Sequence, residues 1–189
     1  MFQRAALTVA VVLVCASSAW CLEVQGVSVP EVFPAGEHEL VLNGAGVRSK
    51  LAFLKLYVGA LYLQTRQDSA QAVIQADEPM AVRLHIISKL ITSERMEEAT
   101  REGFVKATGG DLSGIEERVE SFIAVFKEDE IVEDDVFDLV YLPGQGVETY
   151  KNNEFISVTP GLDFKEALFG IWLSGDPVQG SLKESMLGQ

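Results

Sequence analysis

Apolar residues recur along this chain with two periods, and the change from one to the other marks the elements. Met80–Ile87 alternates: Met80, Val82, Leu84 and Ile86 face one way, while Ala81, Arg83, His85 and Ile87 face the other. That period of two belongs to a strand. Leu51–Leu63 is almost wholly apolar, which predicts a long strand buried on both faces. Short strands are predicted over Leu22–Val29 and Glu39–Leu42, around a Pro30–Gly36 loop. Val136–Leu142, Val147–Lys151 and Glu154–Val158 read as three antiparallel strands, with turns at Pro143–Gly146 and Asn152-Asn153.

The helical period appears between and after these runs. Ser69–Gln75 predicts a short helix. Ser93 is placed to cap a helix running to Ala107, with Glu94, Glu97 and Glu98 suiting its dipole and Gly109-Gly110 ending it. Ser113-x-x-Glu116 has the form of a capping box. Behind it Ile115, Val119, Phe122, Ile123 and Phe126 share one helical face. Asp163 opens another helix with Phe164, Leu168, Ile171 and Trp172 on one face. Pro177 breaks the chain, and Ser181-x-x-Glu184 caps a last short helix. Strands, two helices, strands, two helices: that order predicts an α+β fold, with helices packed on an antiparallel sheet.

The N-terminus adds a compartment. Arg4 followed by the apolar Ala5–Cys15 and small residues at Ala16–Ala19 has the form of a signal peptide, residues 1–21, cleaved after Ala19 or Cys21. The apolar run is short for a membrane anchor, and Trp20 before Cys21 does not suit a lipidation signal. The expected protein is one domain, residues 22–189, periplasmic or secreted, with no membrane span once the leader is removed. Both cysteines, Cys15 and Cys21, lie in or beside the leader. No internal disulfide is therefore expected, nor thiol catalysis or a cysteine-ligated metal. The chain carries 15 basic against 28 acidic residues, a net charge of −13. Such a charge argues against nucleic acid or an anionic membrane as partner.

Candidate chemistry is sparse. Gly44-Ala45-Gly46 begins like a dinucleotide-binding loop, but Ser49 stands at the third glycine position and a strand follows where the phosphate needs a helix. A tight turn, its glycines permitting positive φ, is the expectation. Glu128–Asp138 holds seven acidic residues without the spacing of a calcium loop, so a solvated acidic loop is expected. His38 and His85 have no triad or zinc-site spacing, and His85 reads as a strand residue at the sheet surface or a pocket wall. Neither metal nor cofactor is expected. Arg48 is the strongest candidate, because its planar fork pairs a carboxylate bidentately. Tyr57 and Tyr62 are five residues apart and so lie on opposite strand faces, with Lys55 on the Tyr57 face. Arg48, Tyr57 and Lys55 are the predicted ligand-binding residues, with no catalytic residue among them.

Asn43–Arg48 followed by Leu56–Leu63 resembles the chalcone isomerase superfamily, as do Ile91–Phe104, Leu142–Gly146 and Leu168–Val178. The last two are most similar to a bacterial, secreted chalcone isomerase-like branch. The resemblance implies an open-faced β-sandwich, a large antiparallel sheet covered by helices, with a cleft between the layers. In the plant enzyme an arginine there assists intramolecular cyclisation of a chalcone; in related plastid proteins an arginine and a tyrosine meet a fatty-acid carboxylate. Arg48 matches the family arginine. The enzyme's threonine falls at Tyr57, as in the fatty-acid binders. Its tyrosine and asparagine fall near Ile91 or Thr92 and near Ala99, and its late hydroxyl near Pro177 or Val178, where those residue types are absent. The resemblance therefore implies a non-catalytic protein holding a small apolar carboxylate. An intramolecular lyase or isomerase is the second reading. A protein–protein module using the acidic loop as its contact is the third.

Overall fold

Seven strands form one sheet in strict chain order, and each neighbour is antiparallel to the next. The computed structural model describes residues 21–50 and 53–189. A separate hairpin, β1 (Cys21–Val24) and β2 (Val27–Pro30), comes first. The sheet follows with β3 (Val32–Ala35), β4 (His38–Lys50), β5 (Leu54–Leu63), β6 (Met80–Ile86), β7 (Val136–Leu142), β8 (Gly146–Lys151) and β9 (Glu154–Thr159). Helix α1 (Ala70–Gln75) links β5 to β6; α2 (Ser93–Ala107) and α3 (Glu116–Glu128) link β6 to β7. After β9 come α4 (Leu162–Leu173) and α5 (Gly180–Met186). The predicted α+β architecture is present, an open-faced β-sandwich with five helices on the sheet.

Each sheet face has its own core. Toward the helices point Leu61, Met80, Val82, Leu84, Ile86 and Leu139, packed against Phe104, Phe122, Phe164 and Leu168. Helix α4 is buried on most sides from Phe164 to Leu173, the exception being Glu166, so its largely apolar composition reflects a central position. The other face packs Val58, Ala60, Tyr62 and Ala81 against Val27 and Val29 of the hairpin. The period-two reading of Met80–Ile86 is what separates these cores.

Several local expectations are corrected. Leu22–Val29 is two strands, because Gln25 (φ 54°) and Gly26 (φ 80°) form a tight turn inside it. Glu39–Leu42 is part of a 13-residue strand that runs through Gly44-Ala45-Gly46. Those glycines are therefore no turn. A Cβ on Gly44 would lie 2.1 Å from the Ser185 carbonyl oxygen, and one on Gly46 would lie 2.6 Å from Ser185 Cβ; the glycines let α5 lie directly on the strand. Thr92, not Ser93, caps α2 by accepting from Arg95 N–H. The expected boxes at Ser113 and Ser181 do not form: α3 and α5 start at Ile115 and Gln179 without a side-chain cap. The predicted leader, apart from Cys21 in β1, lies outside the described residues, as do Leu51 and Ala52.

Candidate functional site

Two bulges decide which side chains of β4 and β5 face the helices. Opposite Gly44 and Leu42, Leu61 and Tyr62 are consecutive, so Asn43 is the extra residue; opposite Arg48 and Ser49 stand Tyr57 and Lys55, so Leu56 is the extra one. A one-residue bulge reverses the facing of everything beyond it. Leu54 and Leu56 consequently join Tyr57 on the helix side. Lys55 turns to the opposite side, where it is exposed and donates to Gln25 of the β1–β2 turn. The expectation that Lys55 shares a cavity with Tyr57 is corrected by that bulge.

Arg48 and Tyr57 are direct cross-strand partners and both line a cavity of about 590 Å³ between the sheet and α2, α3 and α4. That volume suits a small-molecule site. Its far wall is apolar, formed by Leu84, Met96, Phe122, Phe126, Leu139 and Leu168. At the β4–β5 end of the sheet its polar groups are Arg48 and Tyr57, while Arg95, Glu98, Thr100, Glu102 and Lys106 line it along α2. Arg48 Nη1 donates to the Ser49 carbonyl and, at 3.1 Å, to Gln179 Oε1. Gln179 also accepts from Ser49 N–H at 2.8 Å and donates to the Val47 carbonyl at 3.2 Å, which fixes it beside the arginine. Among the described residues the Arg48 Nε and Nη2 have no acceptor, so half of the fork is open to a ligand.

Tyr57 sits at the same end. Trp172 Nε1–H donates to its hydroxyl at 3.0 Å. That bond uses a lone pair and leaves the phenolic proton to be donated elsewhere; among the described residues it meets no acceptor. Burial pushes the Tyr57 phenol above its ordinary value, against smaller opposing effects of the Trp172 bond and the Arg48 charge. At neutral pH Tyr57 is therefore a neutral donor beside a permanent cation.

Trp172, Gln179 and Thr100, another buried polar residue of the cavity wall, were missed in the sequence. The signal for Trp172 was there: a tryptophan on an apolar helix face still needs an acceptor for its N–H.

The remaining candidates lie elsewhere. Tyr62 points to the hairpin side, donates to the Pro30 carbonyl at 3.0 Å, and is pushed by burial up to about 12. His85 lies on that same side, half-buried, 3.5 Å from Asp134. The acidic run is less solvated than expected. Asp138 is buried in a bidentate pair with Arg83, at 2.7 and 2.8 Å. Asp135 is buried too, accepting from Val132 N–H and Asn152 and paired with Lys151. Asp129, Glu130, Glu133 and Asp134 are the exposed remainder. Among the described residues no cluster of His, Cys, Asp and Glu side chains gathers as a metal site.

Comparison with known proteins agrees with the fold. A family model described as chalcone isomerase-like matches residues 21–188. No curated protein sequence matches the chain. Among solved structures, a fatty-acid binding protein from Arabidopsis thaliana superposes with a TM-score of 0.67 over 86% of this chain and 92% of its own, at 18% identity. At that identity the likeness is one of fold.

Proposed function

We infer that this chain, which belongs to the chalcone isomerase-like family, is a non-catalytic binding protein for a small apolar carboxylate of fatty-acid type. The observation that carries this reading is the pairing of a half-open guanidinium with a neutral phenol in the wall of a largely apolar cavity. A carboxylate accepts from both, and charge-assisted bonds of this kind are the strong ones. The acyl tail then lies between Leu84, Met96 and Phe122. The fatty-acid binding protein of the same fold supports the reading.

The chemistry of Arg48 and Tyr57 weighs against turnover. Tyr57, with its pKa raised, does not supply a phenolate base at neutral pH. Arg48 remains charged and can only stabilise an anion. The predicted leader would place the carrier in the periplasm or outside the cell, and immunoblotting of cell fractions checks that.

Native mass spectrometry of the purified protein with added palmitate tests the binding. The wild type should retain one ligand, and Arg48→Ala should bind about 10- to 100-fold more weakly, the value of a hydrogen bond to a charged group. A wild type without fatty-acid affinity overturns the reading. Chalcone turnover that depends on Arg48 would establish an intramolecular lyase instead.

A further inference from the structure

We propose that the end of the sheet carrying the cavity mouth docks on a zwitterionic phospholipid surface, so that acyl ligand passes between bilayer and cavity without crossing bulk water. The proposal rests on the acyl-carboxylate reading above.

The antiparallel order brings three connections to one end of the sheet. They are the β4–β5 turn, the β6–α2 loop and the α3–β7 loop. Backbone bonds tie them together: Ile87 N–H donates to the Leu56 carbonyl at 3.0 Å, and Asp134 N–H to the Ile86 carbonyl at 2.9 Å. Each connection exposes one large apolar side chain: Phe53 (74% exposed), Leu90 (44%) and Val132 (50%). Single exposed apolar residues are ordinary on protein surfaces. Here the distribution is what matters. Among the described residues the other large exposed apolar side chains lie within strands or helices, and those in loops all converge on this end.

Two of the loops present their side chains on fixed backbones. Arg95 Nη1 donates to the Leu90 carbonyl at 2.7 Å, and the buried Asp135 accepts from Val132 N–H at 2.9 Å. The patch is continuous with the cavity, because Leu90, Lys50 and Arg95 line both. An aromatic and two aliphatic tips beside an opening that leads to an acyl-sized cavity match the acyl–headgroup boundary of a bilayer.

Charge selects the class of lipid. Lys50, Arg95 and Lys106 are exposed in the cavity lining with Glu98 and Glu102. Lys89 is paired with Glu133 at 3.7 Å. Asp129, Glu130 and Asp134 lie exposed in the α3–β7 loop. This mixed rim carries no excess of cations to draw it to an anionic leaflet. Its carboxylates complement headgroup ammonium groups, and its cations complement headgroup phosphates. Charges within about a Debye length, roughly 8 Å at physiological salt, decide the contact.

A tryptophan added at the tip, Phe53→Trp, with its emission read as the difference from the wild type that already holds Trp172, decides the docking. With phosphatidylcholine vesicles its emission should shift to the blue and be quenched by brominated acyl chains, with little dependence on salt. With phosphatidylglycerol vesicles it should respond less. The double variant Phe53→Ser, Val132→Ser should bind phosphatidylcholine vesicles at least about tenfold more weakly, given the apolar area withdrawn, while keeping its affinity for palmitate in solution, since neither residue lines the cavity. Transfer of a fluorescent fatty acid from protein to vesicles should speed up in proportion to vesicle concentration, and lose that dependence in the double variant. No probe response overturns the proposal, as does preferential binding to phosphatidylglycerol, or a transfer rate independent of vesicle concentration. Self-association through Phe53, seen as a dimer that the double variant abolishes, does so as well. If palmitate fails to bind at all, the acyl reading falls, and the Phe53→Trp response still decides the docking.

Discussion

In the proposed carrier the Tyr57 hydroxyl has to satisfy a tryptophan and a ligand at once, and its two lone pairs and one proton allow both. Tyr57→Phe removes the acceptor for Trp172 Nε1–H, which is buried. An unpaired buried donor costs about 1–3 kcal/mol, so the urea midpoint should fall and palmitate affinity should fall with it. Tyr57→Phe and Arg48→Ala should be non-additive, since both bond one carboxylate. Lys165 makes a different demand. It is fully buried in α4, donates to the carbonyls of Val73, Ile74 and Ala76, and so caps the end of α1. Burial pulls its pKa down to about 8, below the ordinary value near 10.4. Between those values the unfolded chain binds more protons, so Lys165 makes stability rise with pH from about 8 to about 10. Lys165→Met should flatten that rise in urea titrations across the window. At this scale the sequence singled out Arg48 and Tyr57, which β4 and β5 bring together, and set Tyr62 on the opposite face. It misplaced Lys55, because strict alternation is broken by a bulge at Leu56 that no local residue signals. It missed Trp172 and Gln179, whose partners lie 115 and 131 positions away and are set by packing alone.

Elements with a long, unbroken period were legible; their ends and their close contacts were not. The faces of α3 and β6 follow from spacing, since burial of one side is what the period encodes. Caps failed because Ser113 and Ser181 sit where a capping box has the right letters but the wrong backbone start. The Gly44-Ala45-Gly46 segment was misread for a related reason. A glycine admits positive φ and also admits a close neighbour, and only the neighbour distinguishes them. Gly44→Ala places a methyl group against the Ser185 carbonyl, and overpacking of this kind costs roughly 1–3 kcal/mol. Because α5 carries Gln179 at its start, palmitate affinity should drop together with the melting temperature. Gly180→Ala in the same helix meets no atom within 4 Å and should leave both measurements unchanged.

For the whole molecule, the alternation of strand and helix blocks was enough to fix an α+β arrangement, because sequential strands joined by short turns pair with each other. The net charge of −13 was equally plain, and it implies self-repulsion in the folded state. Added salt screens that repulsion, so scanning calorimetry in rising sodium chloride should raise the melting temperature by a few degrees, the shift expected of about 1 kcal/mol. What remained hidden was how the ends of the chain meet. The sheet grows by nearest-neighbour steps, most of them closing a short turn and the longest passing through α2 and α3, whereas α5 returns to lie on β4 across more than half of the sequence. Loop closure at that distance comes late in folding. The anion clamp is therefore the last thing to be finished: Arg48 is made early in synthesis and steadied only when Gln179 arrives. A chain cut after Val178 should still form its sheet by circular dichroism and yet hold palmitate poorly. In the proposed carrier, the binding wall is thus completed after the sheet that holds it, once Gln179 has docked beside Arg48.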